Sequence, residues 1–123
     1  MSFKDECGVF AVWNHVEASK MTYLGLYALQ HRGQESAGIV TLDKVLHHHH
    51  KDLGLVDEVF DQKTIERLVG KHAIGHVRYS TTGGNNLGNA QPLTASLYGG
   101  PVAVAHNGNF TNAEKLRREL QSE

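Results

Sequence analysis

The run Gly8-Val9-Phe10-Ala11-Val12-Trp13 constrains this chain more than any other stretch. It is short, apolar and rich in β-forming residues, so it reads as a buried strand. Polar and charged residues precede it, from Met1 to Glu6, and the run is too short for a signal core or a membrane span. With 123 residues in all, the strand has one modest core to enter, in one domain.

The rest of the chain supplies partners for that strand. Ala18 to His31 follows a helical rhythm, with Met21, Leu24, Tyr27 and Ala28 clustering on one side. It is expected to stop near Arg32-Gly33, where glycine can take the left-handed conformation that closes a helix. Ser36 to Leu42 and Lys44 to His48 read as a strand pair around Asp43. Thr64 is a candidate cap for a short helix through Leu68, with Gly70 ending it. Ala73 to Arg78 reads as a further strand, and Ser80 to Gly88, with three glycines and two asparagines, as a mobile loop. Leu93 to Leu97 and Val102 to His106 form two strands around Tyr98-Gly99-Gly100-Pro101. A last helix is expected from Thr111, which stands at capping-box spacing from Glu114, to about Gln121. Strands with helices at intervals indicate α+β sheet packing. No internal repeat or interdomain linker is visible.

Charge excludes some partners. Lys plus Arg number 12 against 13 Asp plus Glu, a net charge of −1, which offers no electrostatic reason to bind nucleic acid or an anionic membrane. The single cysteine, Cys7, has no internal disulfide partner, which suits a reducing, cytoplasmic home.

A cysteine beside an apolar strand is ordinarily a small buried hydrophobe. Cys7, however, stands at the junction with the charged hexapeptide and is followed by Gly8, which leaves space around the sulfur. At a chain terminus a cysteine also gains a base: its own α-amino group, with a pKa of about 7.7–8.0, accepts a proton near neutral pH. While Glu6 is attached that nitrogen is an amide, so the chemistry requires cleavage between Glu6 and Cys7.

Four blocks carry a resemblance. Cys7-Gly8-Val9-Phe10, the stretch Leu29-Gln30-His31-Arg32-Gly33-Gln34-Glu35-Ser36-Ala37-Gly38-Ile39, then Gly75-His76-Val77-Arg78-Tyr79-Ser80-Thr81 and Ala105-His106-Asn107-Gly108-Asn109 resemble, in order and spacing, the glutaminase domain of amidophosphoribosyltransferases. The likeness runs from Cys7 to the end of the chain. Related amidotransferases of the glucosamine-6-phosphate synthase type usually show a tyrosine where this chain has Gln34 and a tryptophan where it has Tyr79. Asn89-Ala90-Gln91-Pro92 and Asn109-Phe110-Thr111-Asn112 likewise favour the purine enzyme.

The resemblance implies an Ntn-hydrolase fold, a four-layer αββα sandwich, incomplete in a chain this short. It implies residues 1–6 as a propeptide and residues 7–123 as the amino-terminal part of the glutaminase domain, with the phosphoribosyltransferase domain absent. Cys7 would attack the side-chain amide of glutamine and release ammonia, which forms 5-phosphoribosylamine from phosphoribosyl pyrophosphate at the start of purine synthesis. The Asn107 side chain and the Gly108 N–H would hold the oxyanion, although Asn-Gly is also a favoured hairpin turn. Arg78 would grip the substrate α-carboxylate with its planar fork, although a strand-end arginine is often simply solvated.

Other readings stay open: a glutaminase domain of another class II amidotransferase, of the glucosamine-6-phosphate synthase or glutamate synthase type, or a non-catalytic fragment. No cofactor is expected within this chain. By resemblance the full-length enzyme would use Mg2+, and propeptide-bearing members commonly hold a 4Fe-4S cluster through cysteines outside this region. Homo-oligomers are expected of the full-length enzyme. The chain alone is expected to be poorly stable and nearly inactive. His47 to His50 could suggest a metal site, but alternate side chains on a strand point to opposite faces and no Cys, Asp or Glu stands at ligand spacing, so they read as a solvated strand.

Overall fold

A computed structural model describes residues 7–30, 33–44, 46–79, 87–108 and 111–122. The expected propeptide, the helix stop at Arg32 and residues 80–86 of the expected loop lie outside the described residues.

The elements are β1 (Gly8–Val12), α1 (Ala18–Leu29), β2 (Gln34–Asp43), β3 (Leu46–Leu53), α2 (Val56–Val59), α3 (Gln62–Arg67), β4 (His72–Tyr79), a single 3-10 turn (Leu87–Asn89), β5 (Leu93–Leu97), β6 (Gly100–Val104) and α4 (Ala113–Gln121). An antiparallel sheet has the order β1-β4-β2-β3, and β5 and β6 pair as a second, two-stranded sheet. The apolar run therefore becomes an edge strand. Its neighbour β4 and the ten-residue β2 form the centre.

Register assigns the two faces of the large sheet. Ala37 opposite Val77, Ile39 opposite Gly75 and Thr41 opposite Ala73 share one face, and Ser36 opposite Arg78, Gly38 opposite His76 and Val40 opposite Ile74 share the other. The first face carries α1, whose Ala18, Ser19, Thr22 and Leu26 are buried. At Gly75 an added Cβ would strike the side chains of Thr22 and Leu26, so glycine there lets the helix lie close to the sheet. Leu26, Ile39, Val56, Phe60, Leu68 and Val77 form the core with it.

The helix thus buries a different stripe from the apolar cluster noted in the sequence. Leu24 and Tyr27 are 55% and 51% exposed. The sheet beneath α1 takes Ala18, Thr22 and Leu26 at close range and leaves Leu24 and Tyr27 outside. The helix closes at Gln30, which is extended at φ −70 and ψ 142, and not through Gly33, which does adopt a positive φ of 93 farther on. The Gln30 side chain instead accepts from the Val56 N–H at the start of α2, a turn of helix without a sequence forecast. Asp61, and not Thr64, caps α3: its carboxylate accepts from the Thr64 N–H at 2.7 Å. Lys44, at φ 48, belongs to the β2–β3 turn, and β3 continues to Leu53, beyond His48. The capping box expected at Thr111 is not formed. Asn112 precedes α4 and makes no side-chain cap.

The second face of the large sheet meets the chain around β5 and β6. A cavity of about 310 Å3 lies there, lined by Val40, Leu42 and Ile74 from one sheet and Pro101, Val102 and Ala103 from the other. The hairpin turns at Tyr98-Gly99, and Leu93, Leu97, Val102 and Val104 on it are exposed. No described helix is long and apolar enough to cross a membrane.

Candidate functional site

Cys7 lies just before β1 and packs, half-buried, at the margin of the core. The register of β1 on β4 pairs Gly8 with Val77, which carries the residue before Gly8 toward the end of β4. The sulfur accepts from the Tyr79 N–H at 3.4 Å and faces the Tyr79 carbonyl oxygen at 3.8 Å. Glu6, the other side of the expected cleavage point, lies outside the described residues.

Arg78 is the next residue back along β4. One terminal guanidinium nitrogen donates to the Asn89 carbonyl at a long 3.4 Å, and Nε is buried without a hydrogen-bond partner. Across the strand pair, the Ser36 hydroxyl is buried and also without a partner. A buried donor left unpaired is costly. A guanidinium in that state is suited to a carboxylate brought in from solution.

Asn107 and Gly108 follow β6 and are exposed. Among the described residues no hydrogen bond joins Cys7, Arg78 and Asn107 to one another directly. They are related through the main chain of their neighbours. The His106 N–H donates to Gln91 Oε1 at 2.7 Å, and the His106 carbonyl accepts from His76 Nε2 at 3.1 Å. His76 is fully buried on β4, two residues before Arg78 and on the same face. Burial pushes its pKa down from 6.5 to about 4; the His106 carbonyl opposes this, as does the neighbouring Asn107 side chain, while His106 and Arg78 repel a second positive charge. The ring is therefore neutral near pH 7. With its proton on Nε2, Nδ1 is a buried acceptor without a partner.

His76, Gln91 and Ser36 were not singled out from the sequence. His76 and Gln91 lie inside the blocks Gly75-His76-Val77-Arg78-Tyr79 and Asn89-Ala90-Gln91-Pro92, and the two-residue period of a strand would have put His76 beside Arg78. The histidine run sits on β3, where His47, His48 and His50 are half-buried and only His49 is exposed, so the strand is less solvated than expected. His50 donates to the Val59 carbonyl at 3.0 Å and lies edge-on to Phe60. Among the described residues no group of three His, Cys, Asp or Glu could hold a metal ion.

Comparison with known proteins extends these observations. No protein-family model matches the chain. Amidophosphoribosyltransferase of Staphylococcus aureus is 49% identical over 120 residues, covering 97% of this chain and 24% of the relative. Those of Synechocystis and Bacillus subtilis are 52% and 50% identical over 118 and 120 residues. The chain is homologous to the amidophosphoribosyltransferases. It spans about a quarter of the length of the curated amidophosphoribosyltransferases it matches. A solved structure described as the allosteric regulatory enzyme of purine biosynthesis superposes with a TM-score of 0.85 at 49% identity, covering 93% of this chain and 25% of that one. The glutamine phosphoribosylpyrophosphate amidotransferase of B. subtilis, complexed with ADP and GMP, gives 0.82 at 47%. The two antiparallel sheets and their helices thus match the corresponding part of that amidotransferase fold and fit an incomplete Ntn-hydrolase sandwich.

Proposed function

We propose that this chain forms the glutamine-hydrolysing part of an amidophosphoribosyltransferase, with Cys7 as nucleophile after removal of Met1 to Glu6. The observation that carries the reading is the similarity across 97% of the chain at 49% identity to the S. aureus enzyme. In this reading residues 7–123 belong to the glutaminase domain, and the phosphoribosyl-transferring part lies in the three quarters of the relatives that the chain does not cover.

The freed α-amino group of Cys7 takes the thiol proton. The thiolate then forms a C–S bond to the side-chain amide carbon of glutamine. Negative charge moves to the amide oxygen, which accepts from the Asn107 side chain and the Gly108 N–H. The C–N bond breaks as the leaving nitrogen takes the proton from the Cys7 ammonium, and ammonia departs. Water then adds to the thioester carbon as the α-amino group takes its proton, the C–S bond breaks, and glutamate leaves as that proton returns to the Cys7 sulfur. Arg78 holds the α-carboxylate throughout, and its unpartnered buried Nε supports that role. The ammonia forms 5-phosphoribosylamine from phosphoribosyl pyrophosphate, the first step of de novo purine synthesis.

The reading implies a cytoplasmic homo-oligomer without nucleic-acid or membrane partners. A 4Fe-4S cluster does not fit the residues of this chain, which has one cysteine. Mg2+ would accompany phosphoribosyl pyrophosphate, whose phosphates supply ligands to the bound ion. The proposal assigns both groups to the uncovered part of the enzyme.

A thiol-reactive glutamine analogue tests the site. Stoichiometric labelling at Cys7, prevented by glutamine, is expected of the processed protein, and intact mass with amino-terminal sequencing should show Cys7 first. Labelling indifferent to glutamine, or activity in a protein that retains Met1 to Glu6, would sink the assignment.

A further inference from the structure

His106 stands one residue before the Asn107-Gly108 pair and two residues beyond the end of β6. Among the described residues no strand neighbour receives its main chain. The segment is correspondingly open, and an added Cβ at Gly108 would meet nothing nearer than His106 Nδ1 at 4.0 Å. The His106 main chain is nevertheless held at both of its polar groups, by Gln91 at the N–H and His76 at the carbonyl. Both holding residues are buried, His76 fully and Gln91 to 94%.

Each is anchored in turn. His76 is a residue of β4, paired with Gly38 on β2. Gln91 crosses the large sheet where Gly38 has no side chain; an added Cβ would collide with the Gln91 carbonyl. Lys51 brackets the crossing by donating to the Ala90 and Pro92 carbonyls at 3.0 and 3.3 Å. The segment before Asn107 is thereby tied to the strand that carries Arg78.

We infer that His76 and Gln91 are positioning residues that clamp the His106 main chain and so aim the Asn107 side chain and the Gly108 N–H at the oxyanion. The inference rests on the reading under Proposed function. Neither residue touches substrate. Their effect follows from the geometry of charge stabilisation, since a donor acts only at hydrogen-bond distance from the place where charge develops. A displacement of about 1 Å costs on the order of a hundredfold in rate.

The test uses the full-length enzyme and glutamine hydrolysis. His76→Leu and Gln91→Met remove the donor and the acceptor while filling the space. Each is expected to lower kcat by about tenfold to a hundredfold, with KM for glutamine changed less than about twofold because Arg78 is untouched. His76→Gln and Gln91→Glu restore a donor and an acceptor and should recover most of kcat. The aldehyde analogue of glutamine, which forms a tetrahedral adduct with the thiol, should lose affinity in step with kcat, whereas glutamate should bind as before. Unchanged kcat in the apolar variants, equal losses in the restoring ones, or undiminished aldehyde affinity would overturn the inference. Should the apolar variants fail to fold, His76→Asn, whose amide stops short of His106, is compared with His76→Gln; equal kcat would overturn it too. A wild-type enzyme without glutamine hydrolysis would instead refute the function on which the inference rests.

Discussion

The main-chain N–H of Tyr79 donates to the sulfur of Cys7 at 3.4 Å, which sets the entrance to β1 against the exit of β4, one residue from Arg78. The nucleophile and the carboxylate-binding group of the proposed reaction are thus placed by the pairing of β1 with β4, which brings Cys7 to Tyr79, 72 residues farther along the chain.

Arg78 should act on binding. Replacing it with lysine keeps the charge and loses the planar fork. Arg78→Lys is expected to raise KM for glutamine about tenfold to a hundredfold, the equivalent of about 1.5–3 kcal/mol. Steady-state kinetics check this, and an unchanged KM would remove Arg78 from the carboxylate site.

Asn107 should act on the chemical step. Asn107→Ala is expected to lower kcat by about 10²–10³. Glutamate binding to the same variant serves as the control. A loss in binding with kcat intact would mean that Asn107 holds the ground state and not the oxyanion.

Gly38 should be intolerant of a side chain, because the Gln91 carbonyl occupies the space of a Cβ. Gly38→Ala is expected to destabilise the protein by about 1–3 kcal/mol, the usual range for overpacking. Urea unfolding followed by circular dichroism would show a lowered midpoint. A midpoint equal to that of the parent would mean that the crossing segment gives way at no cost.

His76 should make stability fall in acid. Its folded pKa of about 4 lies below the ordinary 6.5, so between these values the unfolded chain binds a proton that the folded chain refuses. The contribution is complete above pH 6.5 and is lost as pH falls toward 4, by at most about 3 kcal/mol. Unfolding free energies from pH 7 to 4 should fall less steeply in His76→Gln. Parallel curves for the two proteins would assign the acid sensitivity to other groups.

Much of the fold was legible along the chain. β1, β2, β4 and the hairpin around Tyr98-Gly99 follow from short apolar or β-branched runs and the turn residues between them, which are local properties. Strand period would also have put His76 and Arg78 on one face, although His76 was not singled out from the sequence. The helix caps were harder. Asp61 and Thr64 are both good N-cap types three residues apart, and only the hydrogen bond from the Thr64 N–H to Asp61 distinguishes them.

By itself the sequence determined the order of the strands along the chain, the homology carried by its four blocks, and the chemical types at Cys7, Arg78 and Asn107. Those depend on residue identity and spacing alone. Only the tertiary structure decided which stripe of α1 is buried, since that depends on the close approach at Gly75. It alone decided that the Gln91 segment crosses at Gly38 and that His76 meets the His106 carbonyl from 30 residues away. A contact between distant segments is set by which surfaces pack together, and neither segment carries that information on its own.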